Sequence, residues 1–247
     1  MKKKMRRKRR LNPKNDPQKN FNNTLEALNA RVNNSAIKSG RTFSDITTVA
    51  VTKSLPTNIW ETAIKHNLTT LAENRIQEVK EKLKKFKQRD KITLHFIGRL
   101  QSNKARKASQ IFDVIQTVDS IRLASRLNTV SAEINKLQKI FLQVNIGKDL
   151  KKQGFSPEKI IDSAKAVSEL ENLEINGIMT IPPQGIPIAT LRDYYKKTRE
   201  IKDKINELIN GNCNSLSMGM SNDFEIAIEE GATHIRIGTA LFGARSG

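Results

Sequence analysis

Residues 46–97 read ITTVAVTKSLPTNIWETAIKHNLTTLAENRIQEVKEKLKKFKQRDKITLHFI, and their pattern decides the fold. An apolar, β-branched run, Ile46–Val51, gives way to Thr57–His66, where Ile59/Trp60 and Ala63/Ile64 recur four residues apart on one helical face. A second run, Leu68–Glu73, is followed by Arg75–Phe86, whose Ile76, Val79, Leu83 and Phe86 keep helical spacing. A third run, Ile92–Ile97, closes the stretch. Strands that alternate with helices in this way are parallel strands joined by crossovers. They are nearly continuous in apolar residues, as strands covered on both faces are.

The alternation continues outward. Strands are expected near Val114–Val118, Ile140–Asn145, Glu174–Thr180, Ser215–Met218 and His234–Gly238. Helices are expected over Asp119–Leu127, which begins at a Val-Asp-Ser cap-like sequence, and over Ala189–Asn210. Another is expected over Pro157–Leu170, with Ser156 as cap and Pro157 at the first helical position. An extra helix, Asn22–Ile37, precedes the first strand. Eight strands, each followed by a helix, predict an α/β protein with a single closed (β/α)8 TIM barrel spanning residues 21–247. An open doubly wound sheet is the alternative. The segment after the first strand, Thr52-Lys53-Ser54-Leu55-Pro56, lacks the glycine-rich turn of a dinucleotide fold, which disfavours it.

Composition bounds the function. The chain has 247 residues, 37% of them hydrophobic and 28% charged, and its apolar runs fall far short of the roughly 20 residues needed to span a bilayer. A single cysteine, Cys213, excludes a disulfide framework and a cysteine-based zinc site, and fits a cytoplasmic location. The net charge is +19, and the first 20 residues carry +9 of it. That segment has almost no apolar residues and is expected to be a disordered appendage. It has no apolar stretch of the kind a secretory signal carries. No aromatic residues interleave its charges, so nucleic-acid binding is considered only for this tail. Clusters such as Lys80–Lys87 read as solvated helix faces.

In a barrel, chemistry sits at the carboxyl ends of the strands. Lys53 follows the first strand, where nearby apolar surface would free its amine for attack on an aldehyde; alternatively it is a solvated loop lysine. Glu73 and Asn74 end the second strand and could both reach the mouth, unless Asn74 only caps the next helix. His95 lies inside the third strand and reads as a satisfied core residue. The polar segment Arg99–Lys107 after it could face the mouth. Ser217-Met218-Gly219-Met220-Ser221 ends the seventh strand, and Arg236-Ile237-Gly238-Thr239-Ala240 ends the eighth. Small residues, hydroxyls and helix starts in these neighbouring turns suit a phosphate. Arg236, in phase with Gly238, is expected to point into the barrel. There it needs a partner, a carboxylate such as Glu225 or Glu73 or a ligand acceptor. An amine, a phosphate cradle and a guanidinium around one mouth suggest pyridoxal 5′-phosphate.

The segments Ala50–Lys53, Ala72–Glu78, His95–Lys104, Gln143–Asn145, Gly177–Pro182, Leu216–Ser221 and Arg236–Gly243 together resemble the YggS/PROSC family of pyridoxal phosphate homeostasis proteins, in order and from about Asn22 to Arg245. The resemblance implies the barrel of fold-type III enzymes such as alanine racemase. It implies that Lys53 forms a covalent imine with the cofactor and that Arg236 faces the ring nitrogen. It places Ser217, Met220, Ser221, Gly238 and Thr239 around the phosphate, with Asn74 by the ring and Met218 near the cofactor. Ala72 stands where the family usually has glycine and Asn222 where it commonly has aspartate; neither is a proposed ligand. The basic tail is not part of the family pattern.

The resemblance implies a protein that buffers or delivers the cofactor in vitamin B6 homeostasis, with apo forms of cofactor-dependent enzymes as recipients and a monomer as the expected state. The alternative is a racemase-like enzyme. Racemisation needs a base on each face of the substrate. The racemases take the second, a tyrosine, from a C-terminal β-domain that a chain ending at Gly247 is expected to lack. Tyr194 and Tyr195, in the long helix after strand six, are poorly placed for that part. An arginine beside the ring nitrogen also makes a poorer electron sink.

Overall fold

The computed structural model describes residues 17–243. Eight parallel strands form a closed barrel in sequence order: β1 (Thr47–Val51), β2 (Thr70–Glu73), β3 (Thr93–Phe96), β4 (Val114–Val118), β5 (Gln138–Val144), β6 (Leu173–Thr180), β7 (Ser215–Met220) and β8 (His234–Ile237). The helices around it are α2 (Asn58–Lys65), α3 (Ile76–Lys85), α4 (Ala105–Ile111), α5 (Ile121–Glu133), α6 (Ile160–Ser168), α7 (Ile188–Leu208), α8 (Phe224–Glu229) and the short α9 (Thr239–Phe242), with α1 (Pro17–Lys38) preceding β1. The expected barrel is therefore present, and β1 closes it against β8 with Val49 opposite Arg236.

Two core layers follow from the strand period of two. Trp60, Phe96, Phe112, Phe224 and Tyr195 belong to the large cluster in which the helices pack on the sheet. Inside the barrel, Val49, Val51 and Ala72 pack with Ile97 on one side, and Val114, Phe141 and Met179 with Ile181 on the other. His95 pairs in register with both Ala72 and Val114, and Arg236 with Val49, so both side chains enter the interior. The middle of this barrel is thus polar, where the usual filling is branched aliphatic.

Some boundaries differ from the sequence pattern. α1 begins at Pro17 rather than Asn22, a position where proline is well suited to start a helix. Residues 17–20 of the tail expected over 1–20 thus belong to α1, and the rest of it, 1–16, lies outside the described residues. α5 begins at Ile121 and is capped as expected, Ser120 Oγ accepting from the Leu123 N–H at 3.3 Å. α6 begins at Ile160 instead of Pro157, because residues 157–159 form a turn that the Ser156 carbonyl closes, and no side chain caps it. β7 runs on to Met220, two residues past its expected end.

Candidate functional site

The carboxyl end of β1 is held firmly. Thr52 is fully buried, and half-buried Lys53 follows it. The Thr52 N–H bonds the Ala72 carbonyl at 3.0 Å, and its Oγ1 donates to Glu73 Oε1 at 2.7 Å while accepting from Trp60 Nε1 at 2.9 Å. Ser54 takes a left-handed conformation with φ 62°. Lys53 lies in the turn after β1, and β1 pairs with β8, the strand that carries Arg236.

Arg236 is 4% exposed and forms no salt bridge among the described residues. Glu225, a partner suggested by sequence, is tied to Arg31 at 2.9 Å. Glu73, the other suggested partner, is also engaged elsewhere. Its neighbour Ala72 faces inward, so Glu73 faces out and binds Lys82 at 2.6 Å. It does not reach the mouth, which corrects the expectation. Burial holds its carboxyl above the usual range, against the pull of Lys82. Lys82 is itself 4% exposed, although it reads in sequence as one of a solvated lysine cluster. Its spacing of three from Val79 was the signal that it lies on the buried face of α3.

The Arg236 guanidinium spends its donors on neutral acceptors. Nη2 donates to the carbonyl of Thr180, the last residue of β6, at 2.8 Å, and Nη1 donates to Ser217 Oγ at 2.8 Å. An arginine can only donate. The Ser217 hydroxyl therefore passes its own hydrogen to Gln116 Oε1 at 2.7 Å, and the Gln116 amide nitrogen donates to His95 Nδ1 at 2.7 Å. His95 must accept at Nδ1, so it is neutral. Burial, with His234 nearby, lowers its pKa to about 3. The expectation of a satisfied core histidine holds, but the residue is the far end of a polar chain that starts at Arg236.

The ends of β2, β3 and β4 meet closely. Asn74 is not the cap of α3: Arg75 occupies that position without a side-chain cap bond, and Asn74 Oδ1 is buried with no partner. Gly98 packs so tightly on Asn74 that a Cβ would stand 2.2 Å from the Asn74 carbonyl oxygen. Thr117 Oγ1 donates to the Gly98 carbonyl at 2.6 Å. The segment after β3 forms a short 3-10 turn, Ser102–Lys104, that leads into α4.

The turns after β7 and β8 are neighbours, as expected. Met220 lies opposite Arg236, and the Ala240 N–H donates to Ser221 Oγ at 3.2 Å, which joins the two turns directly. Gly219 has φ 87°, and the Asp223 carboxylate accepts the Met220 N–H at 2.5 Å. Thr239 is exposed, while Gly238, Met220 and Ser221 are half-buried. Two expected ligands stand apart from this rim. Ser217 is wholly buried between Arg236 and Gln116, and Met218 is wholly buried in the layer between strands and helices. Tyr195 is also wholly buried, and its phenol is held above its usual pKa by burial and the nearby Asp223 carboxylate.

Residues 25–246 match the family described as alanine racemase, N-terminal domain. A pyridoxal phosphate homeostasis protein of Aquifex aeolicus is 35% identical over 221 residues, covering 90% of this chain and 96% of the relative. The structure of PipY from Synechococcus elongatus with pyridoxal phosphate bound is similar at 35% identity and a TM-score of 0.75, over 81% of this chain and 93% of PipY. An alanine racemase of Clostridium difficile shares the fold at 14% identity and a TM-score of 0.69; this chain covers 58% of it.

Proposed function

Because the chain belongs to the family of pyridoxal phosphate homeostasis proteins built on the alanine racemase N-terminal domain, we propose that it binds pyridoxal 5′-phosphate at the carboxyl end of its barrel. There it would buffer or deliver the cofactor and not turn over a substrate. The observation that carries this reading is a buried Arg236 that forms no salt bridge among the described residues and lies on β8, beside the strand that Lys53 follows. The unpartnered Asn74 Oδ1 and the two linked turns fit the same group.

When bound, the cofactor supplies an aldehyde that condenses with a primary amine with loss of water. Lys53 would provide that amine and a covalent attachment. Arg236, permanently protonated, would donate to the ring nitrogen and keep it unprotonated. Asn74 would sit beside the ring. Met220, Ser221, Gly238 and Thr239 would surround the phosphate with backbone N–H groups and hydroxyls. Ser217 would act one step back, orienting Arg236, and Met218 would support β7 from behind.

Two features favour a carrier over a racemase. A tyrosine base would need a low enough pKa and access to the ligand, and Tyr195 has neither. An unprotonated ring nitrogen also draws electrons weakly. No helix among the described residues is long and apolar enough to cross a membrane. The proposed setting is the cytoplasm, the proposed state a monomer, and the proposed recipients apo enzymes. The test is visible absorbance of the protein with added pyridoxal phosphate, borohydride reduction and peptide mapping. One label on Lys53 is expected, and labels scattered over surface lysines would count against the site. α-Proton exchange of amino acids that Lys53→Ala abolishes would make the protein an enzyme.

A further inference from the structure

We propose that Lys82, with Glu73 and Glu78, is a positioning set that fixes the backbone on both sides of Lys53; this rests on Lys53 being the residue that receives the cofactor. Lys82 comes from the buried face of α3, thirty residues along the chain from Thr52, yet its Nζ donates to the Thr52 carbonyl at 2.9 Å. The same ammonium binds Glu73 at 2.6 Å and Glu78 at 3.1 Å. Glu73 in turn accepts the Thr52 hydroxyl at 2.7 Å, and Glu78 accepts the Ser54 N–H at 2.6 Å. The residue before Lys53 and the residue after it are therefore held by one charged cluster.

An ion pair that served only to dock α3 on the barrel would end at Glu73. These contacts continue to residues 52 and 54. Ser54 is also where holding is needed: its φ of 62° is disfavoured for a residue with a side chain. The Glu78 carboxylate bonds that residue's own N–H, which favours the strained conformation and with it the direction in which Lys53 leaves β1. A charge-assisted hydrogen bond from a carboxylate is strong enough for this part.

Glu78 separates positioning from folding, because its side chain is 22% exposed and its loss leaves the buried Lys82–Glu73 pair intact. Full-length apo protein would be titrated with pyridoxal phosphate and, separately, with pyridoxine 5′-phosphate, which carries an alcohol in place of the aldehyde. Glu78→Ala is expected to slow formation of the reducible Lys53 adduct about tenfold, the scale of one lost hydrogen bond to a charged group. Binding of pyridoxine phosphate should be unchanged. Glu78→Gln, whose amide oxygen can still accept from Ser54, should restore the rate. The charge-neutral pair Glu73→Gln with Lys82→Met should give the same split between the two ligands. Wild-type adduct kinetics in Glu78→Ala, or an equal loss for both ligands, would overturn the positioning role. Wild-type protein that binds both ligands but carries its label away from Lys53 would instead overturn the attachment site, and the proposal with it.

Discussion

Arg236 brings a permanent charge into a barrel interior where the acceptors it meets are a serine hydroxyl and a backbone carbonyl. Burying a charge on neutral acceptors is costly, and such a residue is retained for what it binds more readily than for stability. Arg236→Met should accordingly weaken pyridoxal phosphate retention roughly tenfold or more while the apo protein melts no lower than the wild type. A titration and a thermal scan of the same preparations check both halves. A large drop in apo melting temperature with unchanged affinity would make Arg236 structural. The position of this arginine was legible in sequence, since it alternates in phase with Gly238. Its partners were not, because Ser217 and Thr180 come to it from β7 and β6, far away in the chain. Lys82 failed for a related reason: amid its lysine-rich neighbours, composition concealed a helical phase that pointed inward.

At the scale of elements, the site depends on how closely strand ends approach one another. The β2 and β3 ends touch backbone to backbone at Asn74 and Gly98, and β4 ties in through Thr117. The Gly98→Ala methyl would stand 2.2 Å from the Asn74 carbonyl oxygen, so one strand end has to move. Overpacking of this kind costs about 1–3 kcal/mol. Because the contact is at Asn74, the variant should lose cofactor affinity as well as stability, read by denaturant unfolding and by titration. Loss of stability with wild-type affinity would place Asn74 away from the ligand. The opposite side of the rim is joined by the Ser221–Ala240 hydrogen bond, which turns two sequence-distant loops into one surface. Such loops were recognisable from their small residues and hydroxyls. Which of their members face the mouth was not, since β7 extends to Met220 and turns Met218 toward the helices.

At the scale of the whole molecule, the polar interior makes stability depend on pH. Burial depresses the His95 pKa to about 3, against roughly 6.5 for an unfolded histidine. A depressed pKa means that the unfolded chain takes up the proton first, so this contribution is complete above pH 6.5 and is lost as pH falls toward 3. By pH 4 the loss is on the order of 3 kcal/mol. His234, lowered to about 4 by burial and then by Arg236, adds to the same trend. Urea unfolding of wild type and His95→Gln at pH 7, 5.5 and 4 should give a flatter profile for the variant, and superimposable profiles would show that this histidine does not govern the acid limb. The sequence by itself determined the architecture, because strand and helix periodicity is local and eight repeats of it permit few closed arrangements. It also determined which strand ends carry an amine, an arginine and small-residue turns. Tertiary structure alone decided that Glu73 turns away from the mouth, that Arg236 forms no salt bridge among the described residues, and that Lys82 grips the backbone beside Lys53. Those outcomes depend on which face of one element meets another, and contacts between residues far apart in the chain leave no periodic trace in the sequence.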